Sequence, residues 1–267
     1  MIRVFPRRTK WTPTDDLAFV GDPPLFRPPE QPVRISVTFT WDIAEGERLY
    51  RAWGGYYSDV VLGGPAFGAP GFDFTPGLFL KEGVTITSRG CPRNCSWCFV
   101  PKREGKIREI EIKPGWIIQD NNLLACSVDH IQGVFWMLKR QKQATIFSGG
   151  LDARLLTSWH IDLFQTIKIK ELWFACDSES SLNHLKKASD LLSDFPVNKK
   201  RCYVMIGYED TVQSAERRLR AVYNMGFLPF AQLYQSEIKR PRTQEWDRLQ
   251  RKWCRPAAYR TKDAINE

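Results

Sequence analysis

The sequence has no long apolar run. No window approaches the ~18 uninterrupted apolar residues of a membrane-spanning helix. The opening stretch MIRVFPRRTKWTPTDD is basic but lacks the apolar segment of a secretory signal, so the cytoplasm is the expected compartment and no membrane association is expected. Internal repeats and low-complexity tracts are also absent. Paired cysteines are missing too: there are seven, an odd number, and three of them crowd into positions 91–98. That pattern argues against a disulfide framework and for metal chemistry. The other four, Cys126, Cys176, Cys202 and Cys254, are scattered. Cys176 and Cys202 lie in apolar, strand-like runs, where a free cysteine behaves as a small buried hydrophobe.

What is present suits a globular protein. At 267 residues, a chain can bury roughly three-quarters of the surface it would expose unfolded. The net charge is +9, which admits a polyanionic partner such as nucleic acid. The basic residues are spread over 7–10, 102–108, 139–142, 199–201, 217–220 and 239–242. A spread of this kind also describes a solvated surface.

Residues 1–32 carry seven prolines. Proline fixes φ and removes a backbone donor, so this stretch reads as an extended, proline-rich arm. A small β-α-β unit with its linker is expected over 33–77: a β-branched strand at 33–41, a helix at 43–53 with Asp42 as N-cap, and a second strand at 58–62. From 83 onward strands alternate with amphipathic helices. Strands are expected at 84–87, 115–118, 144–147, 171–175, 201–206 and 228–234. Six βα units fit between 83 and 235, whereas eight would need about 250 residues. The expected fold is therefore α/β: an open, partial (βα)6 TIM-like barrel over 78–240, with the short N-terminal β-α-β extension before it. A helical tail follows over 241–267, with Trp246, Leu249 and Trp253 at helical spacing. Ligands in such folds gather beyond the C-terminal ends of the strands.

The segment Thr87-Ser88-Arg89-Gly90-Cys91-Pro92-Arg93-Asn94-Cys95-Ser96-Trp97-Cys98-Phe99 sits after the first of these strands. Its spacing is C-x3-C-x2-C. Thiolates are soft ligands that suit iron–sulfur clusters and zinc. Three of them can hold three corners of a [4Fe–4S] cubane, whose full set is four cysteines. With no fourth cysteine nearby, one iron would stay open. A structural zinc site would instead show four protein ligands in paired spacing, and His130 falls inside an expected helix. Arg89 and Arg93 would favour ionised thiolates.

This loop resembles the signature of the radical S-adenosylmethionine (SAM) superfamily, C-x3-C-x-aromatic-C, with Trp97 as the aromatic. The run GCPRNCSWC is similar to the version found in methylthiotransferase-like and cobalamin-linked branches, and the resemblance covers roughly 83–235. It implies a [4Fe–4S] cluster on Cys91, Cys95 and Cys98, with SAM bound at the open iron. It also implies reductive cleavage of SAM, hydrogen abstraction from a substrate, and an external electron donor such as flavodoxin or ferredoxin. The alternative is a non-catalytic Fe–S or zinc protein that binds nucleic acid or carries electrons.

The resemblance also points to SAM-contacting positions. Where the superfamily carries a GGE-like motif, this chain has Asp120, Asn121 and Asn122, which suit an Asx-turn equally well. After the next strand, the small residues of Ser148-Gly149-Gly150 allow close ligand approach and Arg154 could pair with the SAM carboxylate, with Ser148 and Asp152 as further SAM-binding candidates of that segment; the alternative is a tight turn with a surface arginine. Asp177 and Glu179 fit polar contacts to SAM or a helix N-terminus. Gly207 lies where the adenine is expected, or in a plain turn. Trp97 and Phe99 could shield the cluster or pack on adenine. Residues 33–66 resemble a shortened remnant of the Rossmann-like unit of cobalamin-linked relatives, but no His precedes His130, so cobalamin is a minority expectation. The substrate is not named by any motif.

Overall fold

The computed structural model describes residues 1–68, 71, 73–235 and 243–259. Residues 69, 70 and 72 of the expected linker, the basic run 239–242 and the chain from 260 onward lie outside the described residues. The chain divides into two compact units, Met1–Trp116 and Ile117–Glu267. That division falls well past the expected boundary at 78, so the cysteine segment belongs to the first unit. The fold is α/β. Among the described residues no helix is long and apolar enough to cross a membrane.

In the first unit, β1 (Ile2–Phe5), β2 (Ala18–Val20), β3 (Val33–Ser36) and β4 (Val60–Gly63) form one sheet in the order β2-β1-β3-β4. Every pair is parallel: Val4 lies opposite Phe19 on one side and Ile35 on the other, and Ile35 lies opposite Leu62. Residues 1–32 are thus not a bare extended arm, because they supply two of the four strands. The prolines fall in the connections, at Pro6, Pro13 and 23–32, and leave IRVF and AFV intact. All four residues of β1 are buried, Arg3 included. A strand covered on both faces shows no alternation, so periodicity does not reveal it. Helix α1 (Ile43–Gly54) packs its Leu49 and Trp53 into a core with Ile2, Val4, Val33, Ile35 and Val37. The Nε1 of Trp53 donates to the carbonyl of Gly21 at 3.0 Å, and the Tyr57 hydroxyl donates to that of Pro28 at 2.8 Å. These bonds pin the proline-rich segment to the core. Asp42 stands at the N-cap position but makes no capping bond; its carboxylate is held by Arg7 instead.

The expected strand at 84–87 is two short pieces, β5 (Val84–Thr85) and β6 (Ser88–Arg89). A four-residue helix α2 (Val100–Arg103) and β7 (Arg108–Glu109) follow, and β6 pairs antiparallel with β7.

The second unit contains β8 (Ile117–Ile118), α3 (Val128–Lys139), β9 (Thr145–Leu151), α4 (Ser158–Gln165), β10 (Ile169–Ala175), α5 (Glu179–Leu191), β11 (Lys200–Ile206), α6 (Val212–Asn224), β12 (Leu228–Leu233), α7 (Gln244–Trp253) and α8 (Pro256–Tyr259). Its five strands lie side by side in sequence order, β12-β11-β10-β9-β8, and each pair is parallel. Caps set the helix starts. The Ser127 and Thr211 hydroxyls accept the N–H of His130 and Ser214 respectively. On β10 and β11, fully buried Leu172, Phe174, Cys202 and Val204 alternate with half-buried Trp173 and Tyr203. Those two rings stack at 4.3 Å, and Phe230 of β12 meets both edge-on. In the tail, Leu249 and Trp253 of α7 are buried, Trp253 stacks on Tyr259, and the Tyr259 hydroxyl donates to Pro229 at 2.9 Å.

Candidate functional site

The three clustered cysteines lie on a loop with a closed neck. The chain enters through β6 and leaves through β7, whose pairing sets Arg89 opposite Arg108. Just inside, the Cys91 N–H donates to the Gly105 carbonyl at 3.1 Å. Gly90 lies at φ 83°, and a Cβ there would sit 2.1 Å from the Lys106 carbonyl oxygen. Only glycine permits that approach. Within the loop, the Cys98 N–H donates to the Cys95 carbonyl at 3.0 Å, and α2 closes back through Arg103 N–H to Phe99 and Glu104 N–H to Val100.

A buried carboxylate holds the neck. The Glu104 side chain is 1% exposed. One oxygen accepts Arg103 Nε at 2.9 Å; the other accepts the Gly71 N–H at 2.9 Å and Arg108 Nη2 at 3.3 Å. Arg89 Nη1 lies 3.9 Å away. Three guanidinium groups therefore share one carboxylate, and the Gly71 backbone lies against Arg89. Glu104 is the sole acid between Arg89 and Arg108, a signal that sequence reasoning passed over.

The cysteines differ sharply in ligand chemistry, and none forms a disulfide. Cys176 and Cys202 are fully buried. Burial pushes the Cys176 thiol up to about 12 and raises that of Cys202 as well. A thiol held protonated is a poor metal ligand. Cys91, Cys95 and Cys98 are only half-buried, and Arg89, Arg93 and Arg103 stand in the same short segment. By donor chemistry these three suit iron. Among the described residues no three His, Cys, Asp or Glu side chains are grouped to hold a single metal ion. Zinc draws all its thiolates to one centre at about 2.3 Å, whereas a cubane takes one thiolate at each iron corner. Beside the cysteines, Trp97 is half-buried and Phe99 is 42% exposed at the start of α2.

The other candidate residues lie at the C-terminal edge of the five-stranded sheet in the second unit. Asp120 and Asn122, just past β8, are buried, and Asn121 between them is half-buried. The Asn122 amide donates to Asp152 at 3.4 Å. Asp152 also accepts Arg154 Nε at 2.6 Å and Nη2 at 3.0 Å. Asn122, Asp152 and Arg154 thus form one linked group, in which Arg154 already faces a carboxylate of its own chain. Strand β9 continues through the Ser148-Gly149-Gly150 run, so the tight-turn alternative does not hold there. The Ser148 hydroxyl donates to Ile118, and the Ser148 carbonyl accepts from the Tyr203 hydroxyl. A Cβ on Gly149 would stand 2.0 Å from the Asp120 carbonyl oxygen, so this glycine serves the approach of a neighbouring strand end.

Asp177 follows β10 and accepts the Met205 N–H of β11 at 3.1 Å. Glu179 opens α5 and lies 3.6 Å from Arg218 with its side chain 64% exposed. Gly207 follows β11 at a turn. Arg218, 2% exposed, bridges these segments: it donates to the Met205 carbonyl at 2.6 Å and doubly to Asp210. Its position on the stripe Ala215-Arg218-Leu219-Val222, at core-facing helical spacing, was the available signal. Compared with known proteins, the chain matches no family model and no curated protein sequence.

Proposed function

We propose that the chain is a radical SAM enzyme whose [4Fe–4S] cluster is held by Cys91, Cys95 and Cys98. The observation that carries this reading is the C-x3-C-x2-C thiol set, with Trp97 before the third cysteine, on a loop whose neck is closed by Gly90 and Glu104. The group, when bound and reduced, supplies the electron that splits the C5′–S bond of SAM so that a substrate hydrogen can be taken. The protein's part is binding, orientation and shielding. The closed neck limits how far the three cysteines can spread, and Arg89, Arg93 and Arg103 place positive charge in the segment that would hold an anionic cluster. Exposed Lys102 and Lys106 suit docking of an acidic donor such as flavodoxin or ferredoxin.

The five consecutive parallel strands of the second unit support the finer reading of an open, partial TIM-like barrel. At their C-terminal edge, the Asp152–Arg154 pair complements the zwitterionic end of SAM: the guanidinium for its carboxylate, the carboxylate for its ammonium. Asn121, Asn122, Asp120, Ser148, Asp177, Glu179 and Gly207 are the further contacts in this reading. Cytoplasmic reducing conditions suit the thiols.

Anaerobic reconstitution with iron and sulfide, followed by reduction and addition of SAM, tests the proposal. The expected result is a brown protein with about four irons per chain that releases 5′-deoxyadenosine, with both features lost in Cys95→Ala. A loaded cluster that cycles redox states without cleaving SAM would support an electron carrier. A colourless, zinc-loaded chain retained on RNA or DNA in a salt-sensitive way would support the nucleic-acid reading.

A further inference from the structure

The sheet of the first unit has a topological switch point. In the order β2-β1-β3-β4, β1 continues to a strand on one side and β3 to a strand on the other. Connections diverge between β1 and β3, and in open parallel sheets the crevice outside the carboxyl ends of two such strands is where ligands bind. A crevice lies at this place. From the end of β1 it is lined by Arg7, Thr9 and Trp11, and from the end of β3 by Ser36, Thr38 and Asp42. With its open mouth it measures about 320 Å3. Its enclosed part is small, about 30 Å3, which suits a compact head group and leaves anything attached to it pointing outward.

The lining is charged and rich in donors. Asp42 is buried and takes Nε and Nη2 of Arg7, which leaves the Nη1 hydrogens outside that pair. The ammonium groups of Lys10 and Lys81 lie 4.7 and 5.0 Å from the Trp11 ring centre. Arg7 and Asp42 are the charged residues of the lining itself, and the two lysines add positive charge beside Trp11, which also lines it. Helix α1 begins directly after Asp42 and adds its positive N-terminal end. The hydroxyls of Ser36 and Thr38 make no hydrogen bond among the described residues. A tetrahedral dianion offers enough acceptor oxygens to engage an arginine edge and two hydroxyls together.

We propose that this crevice binds a phosphate group, as free phosphate or as the end of a phosphomonoester. This goes beyond the iron–sulfur reading and is tested without iron. Calorimetric titration of the intact chain would use inorganic phosphate, AMP, adenosine and succinate as probes. Saturable binding of AMP but not adenosine identifies a phosphomonoester site; binding of inorganic phosphate with AMP excluded identifies a free-phosphate site. Either should weaken about tenfold or more in the paired variant Arg7→Met/Asp42→Asn, which removes both charges and leaves no buried carboxylate unpaired. Ser36→Ala/Thr38→Val, which disturbs no existing bond, should weaken it severalfold. Failure of both phosphate probes, unchanged binding in both paired variants, or binding of succinate alone would overturn the assignment.

Discussion

Removing the charge of Glu104 is the most direct perturbation of the cysteine loop. Its carboxylate is almost fully enclosed and accepts three hydrogen bonds, from Gly71, Arg103 and Arg108. Glu104→Gln keeps the shape but replaces one of the two accepting oxygens by an NH2 group, so at least one enclosed donor loses its acceptor, a loss of about 1–3 kcal/mol. It also leaves Arg89, Arg103 and Arg108 facing one another. Those arginine side chains are 19%, 18% and 38% exposed, so solvent screens part of their repulsion. The expected cost is about 2 kcal/mol for Glu104→Gln and about 3–4 kcal/mol for Glu104→Ala, which breaks a buried pair outright. Losing one arginine should cost less than either, because two remain. Urea titration measures these losses as a shift of the midpoint at constant slope, about 1 M for the Gln variant at a slope near 2 kcal/mol per M. Iron uptake by the same variants reports on the loop itself and should fall with the neck. If Glu104→Gln unfolds at the wild-type midpoint and loads iron normally, the carboxylate does not hold the neck and the argument fails.

Alkylation under native, metal-free conditions should label Cys91, Cys95 and Cys98 while sparing Cys176 and Cys202, whose thiols burial holds protonated; mass spectrometry after iron–sulfide loading should show the loop three protected. Equal labelling of all seven would contradict the burial argument. Burial keeps His160 below the ordinary value of 6.5, and its Nδ1 accepts the Thr157 N–H at 3.2 Å. The unfolded chain therefore takes up the proton first, and stability should fall as pH drops below about 6.5 and be independent of this group above it. His160→Gln, which retains an acceptor for the cap, should flatten that part of the profile in thermal melts; parallel acid losses in both proteins would remove His160 as the cause. Arg218→Ala strands the Asp210 carboxylate and should cost about 3–5 kcal/mol by denaturant unfolding, with most of it recovered in Arg218→Met/Asp210→Asn; no recovery would mean that the Met205 carbonyl, not Asp210, is the partner that matters.

The second unit was legible because its signals are local. Helix α3 repeats Val128, Ile131, Val134, Phe135 and Leu138 at helical spacing, and the structure puts the last four inside but leaves Val128, in the first turn, exposed. Strands β10 to β12 read as compact apolar runs between those helices. In the first unit the strand, helix and strand of β3, α1 and β4 were legible too, but β1 and β2 were not, since they are only four and three residues long and lie among prolines. Nothing in IRVF announces a strand until Phe19 and Ile35 are placed beside Val4. The Ser148-Gly149-Gly150 run left two readings open for a related reason. Its composition is that of a turn, yet the glycine there answers the close approach of the Asp120 backbone, a contact 29 residues away in sequence.

The same distinction separates what the cysteine loop declared from what it concealed. The spacing of Cys91, Cys95 and Cys98 is open to view in the sequence, and the proposed cluster rests on it. Ligand competence depends on surroundings, and there the cysteines part ways: burial disqualifies Cys176 and Cys202, while the loop three are only half-buried. The arginines of this short segment would repel one another. One enclosed carboxylate, Glu104, meets their charge at the neck. The neck of the loop rests on that one side chain, which is why iron uptake, in the proposed function, and urea stability are expected to fall together when it is changed.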